Sequence, residues 1–137
     1  ARLLVLDKRV KAAVMGGMGT DFTNPDWPRR IMFYHALRGD DIPEMKPVID
    51  NVTRQGLDRM ALAWMQRSQP STSQDLLRKV KQPVLVICGD KDSDNGSAEG
   101  LSKLFRKSSF VTVPGDHGGA YHTPEFSTAV IGFLSSH

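Results

Sequence analysis

The sequence predicts an α/β chain built on a short parallel sheet. Three observations carry that expectation. Residues 84–88, Val-Leu-Val-Ile-Cys, form an unbroken apolar run. A strand apolar on both faces belongs inside a parallel sheet covered by helices. Residues 109–113, Ser-Phe-Val-Thr-Val, repeat a strand pattern after an amphipathic segment, and a second helical pattern follows. Strand, helix, strand, helix is the right-handed parallel unit. Residues 10–15 give a third short apolar run, which stops at Gly16, Gly17 and Gly19; a buried strand entering a glycine-rich turn reads this way.

Composition sets limits. A chain of 137 residues suffices for one domain with a real core. Its 39% hydrophobic and 24% charged residues are ordinary for a globular protein. The net charge is +3, but Lys and Arg are scattered without interleaved aromatics, which argues against nucleic-acid binding. Cys88 is the only cysteine and lies within an apolar run. An internal disulfide and a thiolate metal site are thereby excluded, as suits a reducing compartment. No apolar run approaches the roughly 18 residues of a membrane span, and no signal-peptide layout is present. The expectation is a cytoplasmic protein without metal or cofactor.

Taken in order, residues 1–9 read as the last turns of a helix, or as a short strand. The first residue is not Met, and the expectation is a chain that begins part-way through a fold. The Gly-Gly-Met-Gly run after residues 10–15 invites a phosphate-loop reading, but no GxGxxG or GxxxxGK[ST] is present. A sharp turn explains these glycines better.

Residues 21–80 are mostly helical, with segments at 28–37, 43–55, 57–66 and 74–80 punctuated by Pro and Gly. Ser71 with Gln74 has capping-box spacing for the last of these. Trp27, Phe33, Tyr34 and Trp64, with Met32 and Met65, are many large soft groups on short helices. Singly, each reads as core; together they suit a cap whose inner face lines an apolar pocket. Arg38-Gly39-Asp40 is better explained by Gly39 ending a helix than as a recognition tripeptide. His35, on a mostly apolar helix, reads as a packed or half-exposed histidine rather than a ligand.

In the C-terminal part, Ser97 is placed to cap a helix with Ala98, Leu101, Leu104 and Phe105 on one face. Thr123 and Pro124 open the last helix, whose buried face is expected to hold Phe126, Ala129, Val130, Phe133 and Leu134. Between these lie two chemically loaded turns. Asp90, Asp92 and Asp94 alternate in the first. Their spacing resembles a calcium loop, but glycine falls one place late and Leu101 stands where Glu is required. The alternative is one carboxylate aimed at a histidine. In the second turn His117 stands between Pro-Gly-Asp and Gly-Gly, which leave the imidazole sterically open; His122 is the weaker candidate. An acid and a histidine at the ends of neighbouring parallel strands are two parts of a charge relay.

These residues resemble the C-terminal half of the α/β-hydrolase fold superfamily. A strand like Pro83-Val84-Leu85-Val86-Ile87 is followed there by a G-x-x-D turn with the triad acid, matched by Gly89-Asp90-Lys91-Asp92. The next strand ends in a Pro-Gly turn with the triad histidine, matched by Pro114-Gly115-Asp116-His117. Pro124-Glu125 and a helix ending in Phe133-Leu134 follow. The resemblance implies a partial α/β-hydrolase fold of about three parallel strands (10–15, 84–88, 109–113). Residues 1–20 and 81–137 would form the core, and residues 21–80 a helical cap. It implies catalytic Asp92 and His117, with Trp27, Phe33, Tyr34 and Trp64 against an apolar small-molecule substrate.

The family's nucleophile elbow, G-x-S-x-G, does not occur in this sequence. The expectation is therefore a hydrolase part that supplies acid and histidine but no nucleophile and is inactive alone. Strand 10–15 would keep an open edge. Its partner would be the missing N-terminal half, or a second copy. The competing expectation is a non-catalytic interaction module derived from a hydrolase, pairing through that edge.

Overall fold

The computed structural model describes all 137 residues. They divide into two units, residues 1–24 with 71–137 and residues 25–70. The second is narrower than the helical stretch 21–80, since Leu77 and Val80 are buried in the core of the first.

The first unit holds the sheet. Strands β1 (Ala13–Gly16), β2 (Val84–Gly89) and β3 (Ser108–Val113) lie in the order β1-β2-β3, all parallel. β2 is central and every residue in it is buried, which is why its sequence is apolar without alternation. Its side chains alternate between two cores. Val84, Val86 and Cys88 pack with Leu77, Leu101 and Phe105. Leu85 and Ile87 pack with Val113, Ala120, Phe126 and Phe133.

β1 begins at Ala13 and not at residue 10. The Ala13 N–H donates to the Pro83 carbonyl at 3.1 Å, and Pro83 has no N–H with which to extend the ladder upstream. Residues 7–10 form a turn instead, closed by Val10 N–H to the Asp7 carbonyl. β2 and β3 run one residue longer than expected, at the C-terminal and N-terminal ends respectively.

Helices cover both faces. α1 (Arg2–Leu6) settles the open choice at the start of the chain, and it buries Leu4 in the first core. α5 (Gln74–Leu77) is a single turn; Ser73 stands at its N-cap without a side-chain bond, so the expected capping box is not formed. α6 (Ala98–Ser102) is capped by Ser97, whose Oγ accepts from Gly100 N–H at 2.9 Å. α7 (Pro124–Ser135) is capped by Thr123, whose Oγ1 accepts from Phe126 N–H at 3.2 Å. Phe126, Ala129 and Phe133 face the second core half-buried, whereas Leu134 is 50% exposed. Leu134 thus leaves the face it was assigned.

The second unit comprises α2 (Pro28–Arg38), α3 (Lys46–Arg54) and α4 (Arg59–Ser68). Leu37, Val52 and Ala63 form its core, flanked by Tyr34, Val48, Ile49 and Leu62. α4 starts later than residue 57 because the Asp58 carboxylate caps it, accepting from Met60 and Ala61 N–H at 2.9 and 3.0 Å. Segment 43–55 opens as a 3-10 turn at Pro43–Met45 before α3. The Arg59 guanidinium donates to the carbonyls of Ala36 and Leu37, satisfying the end of α2. No helix is long and apolar enough to cross a membrane.

Candidate active site

Asp92 follows β2 and His117 follows β3. Parallel pairing sets both turns at one end of the sheet, with Gly89 opposite Val113. The Asp90 carboxylate accepts from Gly115 N–H at 2.9 Å, and Lys91 N–H donates to the Gly115 carbonyl at 3.0 Å. The backbones approach so closely that a Cβ on Gly89 would lie 2.1 Å from the Gly115 carbonyl oxygen; only glycine fits there.

This join brings the two predicted residues together. Asp92 Oδ2 lies 3.0 Å from His117 Nδ1. The Asp92 side chain is 4% exposed and that of His117 43%. A carboxylate can only accept, so Nδ1 is the donor in this contact, and Nε2 is the ring nitrogen left facing away from Asp92. Asp92 is itself held: its Oδ1 accepts from Asp94 N–H at 3.2 Å. The His117 turn is held by Asp116, whose Oδ1 accepts from Gly119 N–H at 2.7 Å. The three alternating acids therefore have separate positions. Asp90 joins the loops, Asp92 meets the histidine, and no group of three or more His, Cys, Asp or Glu side chains is arranged around a metal site.

A third loop backs the pair. Gly17, just after β1, has φ +62. A Cβ there would stand 3.0 Å from His117 Cε1, 3.2 Å from Nδ1 and 3.5 Å from Asp92 Oδ2. Asn95, 8% exposed, donates from Nδ2 to the Gly17 carbonyl at 2.6 Å. The glycine-rich turn thus forms the wall behind the imidazole, latched by a buried amide. The sequence marked Gly17 as a turn and left Asn95 unassigned. The signal was indirect: two parallel strand ends adjacent in the sheet, one rich in glycine and the other ending Asp-Asn-Gly.

A cavity of about 340 Å³ opens beside the pair, lined among others by Gly17, Cys88, Asp92, His117, Tyr121 and Phe126. Burial pushes the Cys88 thiol up from its ordinary range, and the Asp92 charge pushes it further the same way. The thiol stays protonated and is a poor nucleophile. His122 lies against the Tyr121 ring, centroids 3.9 Å apart.

Trp27, Phe33, Tyr34 and Trp64 all fall in the helical unit. Tyr34 and Trp64 come together, ring centroids 6.0 Å apart. Phe33 lies instead under the Arg29 guanidinium at 5.3 Å. Tyr34 is flanked by Arg38 and Arg67 at 5.4 and 5.7 Å. Trp64 is 56% exposed, and Trp27 sits half-buried ahead of α2. His35 forms an exposed pair with Asp40 at 2.8 Å.

No protein-family model matches the sequence, and no curated protein matches it closely enough to count as a relative. Solved structures do match. Rv0554 from Mycobacterium tuberculosis superposes with TM-score 0.68 at 18% identity, over 98% of this chain and 60% of that one. The hydrolase olei00960 from Oleispira antarctica gives TM-score 0.68 at 12% identity, over 98% and 60%. CarC, a serine hydrolase involved in carbazole degradation, gives 0.59 at 23%, over 99% and 58%. The fold is that of the α/β-hydrolases. At these identities the likeness is one of fold, and function rests on the site. This chain spans about three-fifths of the length of the α/β-hydrolases it matches.

Proposed function

We propose that this chain supplies the acid and the base of an α/β-hydrolase-type hydrolase acting on an ester or related bond in an apolar small molecule. The observation that carries the reading is the Asp92–His117 contact: a buried carboxylate fixes one ring nitrogen of an open imidazole beside a cavity. In this reading His117 Nε2 accepts the proton of an attacking hydroxyl and returns it to the leaving group. Asp92 holds the tautomer and stabilises the imidazolium. The nucleophile and the oxyanion donors come from outside the chain, since no G-x-S-x-G is present and Cys88 is held protonated. Trp27, Phe33, Tyr34 and Trp64 belong to the cap and meet the substrate's apolar part.

The partner in this reading is a polypeptide carrying the remainder of the fold, pairing beside β1. A second reading, a non-catalytic module that pairs through the free edge of β1, draws on that same unpaired strand. The p-nitrophenyl ester assay separates the two. The isolated chain should hydrolyse at the background rate. Joined to a half bearing the nucleophile elbow, it should gain turnover that His117→Ala lowers by on the order of 10⁴-fold. Robust turnover by the isolated chain, abolished by His117→Ala, would place a nucleophile inside it and overturn the assignment. An inactive assembly together with a stable edge-paired dimer in light scattering would favour the module.

A further inference from the structure

At the opposite end of the sheet from Asp92 and His117 lies an open groove of about 720 Å³. It sits where the chain enters β1 and β2, with Val10 ahead of Ala13 and Pro83 next to Val84. Leu4, Val10, Leu76 and Val80 contribute its apolar lining. The volume is that of a small-molecule site.

The charged residues of the lining have one sign. Lys8, Lys11, Lys79 and Lys81 all line the groove, and no Asp or Glu does. The neighbouring acids are already engaged: Asp7 pairs with Arg9 at 2.7 Å, and Asp75 with Arg78 at 2.7 Å. None of the four lysines forms an ion pair, whereas Lys46 and Lys103 elsewhere do. Four unpaired ammonium groups around one apolar depression repel one another, and their mutual field attracts an anion. Lysine stems extend the apolar wall while the heads stay in water. An apolar lining with a cationic rim is complementary to an aliphatic chain that ends in a negative charge.

From this juxtaposition we propose that the groove binds a free aliphatic carboxylate, with the alkyl chain along Leu4, Val10, Leu76 and Val80 and the carboxylate among the lysines. The site is independent of the dyad, which lies beyond the other ends of the strands. It holds whether or not the hydrolase reading does.

Titration calorimetry with dodecanoate below its micelle concentration tests it. Saturable binding with one site per chain is expected. Dodecanol and dodecyltrimethylammonium should bind at least about tenfold more weakly, because each lacks the charge that meets the lysines. The double variant Lys79→Glu, Lys81→Glu should weaken dodecanoate by about the same factor and leave dodecanol unchanged. Both side chains are exposed, so the fold should survive the change. Asp92→Asn should leave dodecanoate binding intact. Equal binding of all three amphiphiles, or no saturable heat, overturns the proposal. So does binding to phosphatidylglycerol vesicles without uptake of free dodecanoate, which assigns the rim to a membrane surface. Protection of the four lysines from acetylation in a concentration-independent dimer overturns it too, by assigning the groove to a second copy.

Discussion

Gly17→Ala is a single-methyl change aimed at the space behind the Asp92–His117 pair. Two costs follow from the geometry. The residue has φ +62, and the left-handed region costs an L-residue about 1–2 kcal/mol. The new Cβ would also stand 3.0 Å from His117 Cε1 and 3.2 Å from Nδ1, closer than an ordinary carbon contact of about 3.5–4.0 Å. Something must yield. Gly17 is tied on both sides, its N–H to the Ile87 carbonyl at 2.9 Å and its carbonyl to Asn95 at 2.6 Å. Asp92 is buried, while His117 is 43% exposed. The imidazole is therefore the group that moves, outward and off Asp92. Gly56→Ala is the control. Gly56 has φ +65 and nothing within 4 Å of a built Cβ, so it bears the backbone cost without the collision. Urea unfolding should show a loss of about 1–2 kcal/mol for Gly56→Ala and a larger loss for Gly17→Ala. Proton NMR should show the downfield Nδ1–H resonance of the carboxylate-bound His117 lost in Gly17→Ala and retained in Gly56→Ala. An unchanged His117 resonance in Gly17→Ala would refute the reasoning, since the imidazole would then not rest on that glycine.

Three further predictions concern the surroundings of the pair. Asp90→Ala should loosen the join between the two site loops and cost about 1 kcal/mol, while Asp90→Asn keeps an acceptor for Gly115 N–H and retains most of it in urea unfolding. Asn95→Ala should strand the Gly17 carbonyl and cost about 1–3 kcal/mol, with the His117 resonance broadened in the same spectra. The Cys88 thiol is raised first by burial and then by the Asp92 charge, so its iodoacetamide rate should stay low through neutral pH and climb only above the ordinary thiol range. Asp92→Asn should move that profile to lower pH without reaching an exposed thiol's, because burial remains. A raised folded-state thiol stabilises the fold below the unfolded thiol's range and ceases to do so as pH rises through the folded value; alkaline unfolding curves should show that loss.

The fold was legible because β2 is buried on both faces, and that burial leaves no choice but an unbroken apolar run. The helix caps at Ser97 and Thr123 were legible for a local reason: each oxygen accepts from an amide three residues ahead. What escaped depended on contacts distant in the chain. The start of β1 is set by the missing N–H of Pro83, some seventy residues away. Leu134 directly follows Phe133, which packs on the second core, so its exposure depends on which face of α7 that core meets. At the site, the turn pattern and its resemblance picked Asp92 out of three alternating acids, and its Oδ2 meets His117. Nothing local could have selected Asn95. Its partner is the Gly17 carbonyl, 78 positions back, and such a bond is written into the strand order and not into the spacing of any motif.

That strand order also bears on how the dyad would meet a nucleophile. The Asp92 loop is joined to the His117 loop through Asp90 and Gly115, and to the glycine-rich turn through Asn95 and Gly17. All three loops belong to this chain, and each hangs from a strand of one sheet. The contact at 3.0 Å therefore needs no residue from elsewhere to define it. A partner that brought a serine elbow would meet a base already oriented, and the ordering cost of association would fall on the partner's loop instead of on His117. The alternative is a histidine loop that orders only on association. The two differ in a spectrum of the chain by itself: a preformed pair gives a protected Nδ1–H resonance before any partner is added, and its position should hold when the partner arrives. A resonance that emerges only on assembly would mean that the loops of this chain do not suffice, and that the wall behind the imidazole is built across the junction.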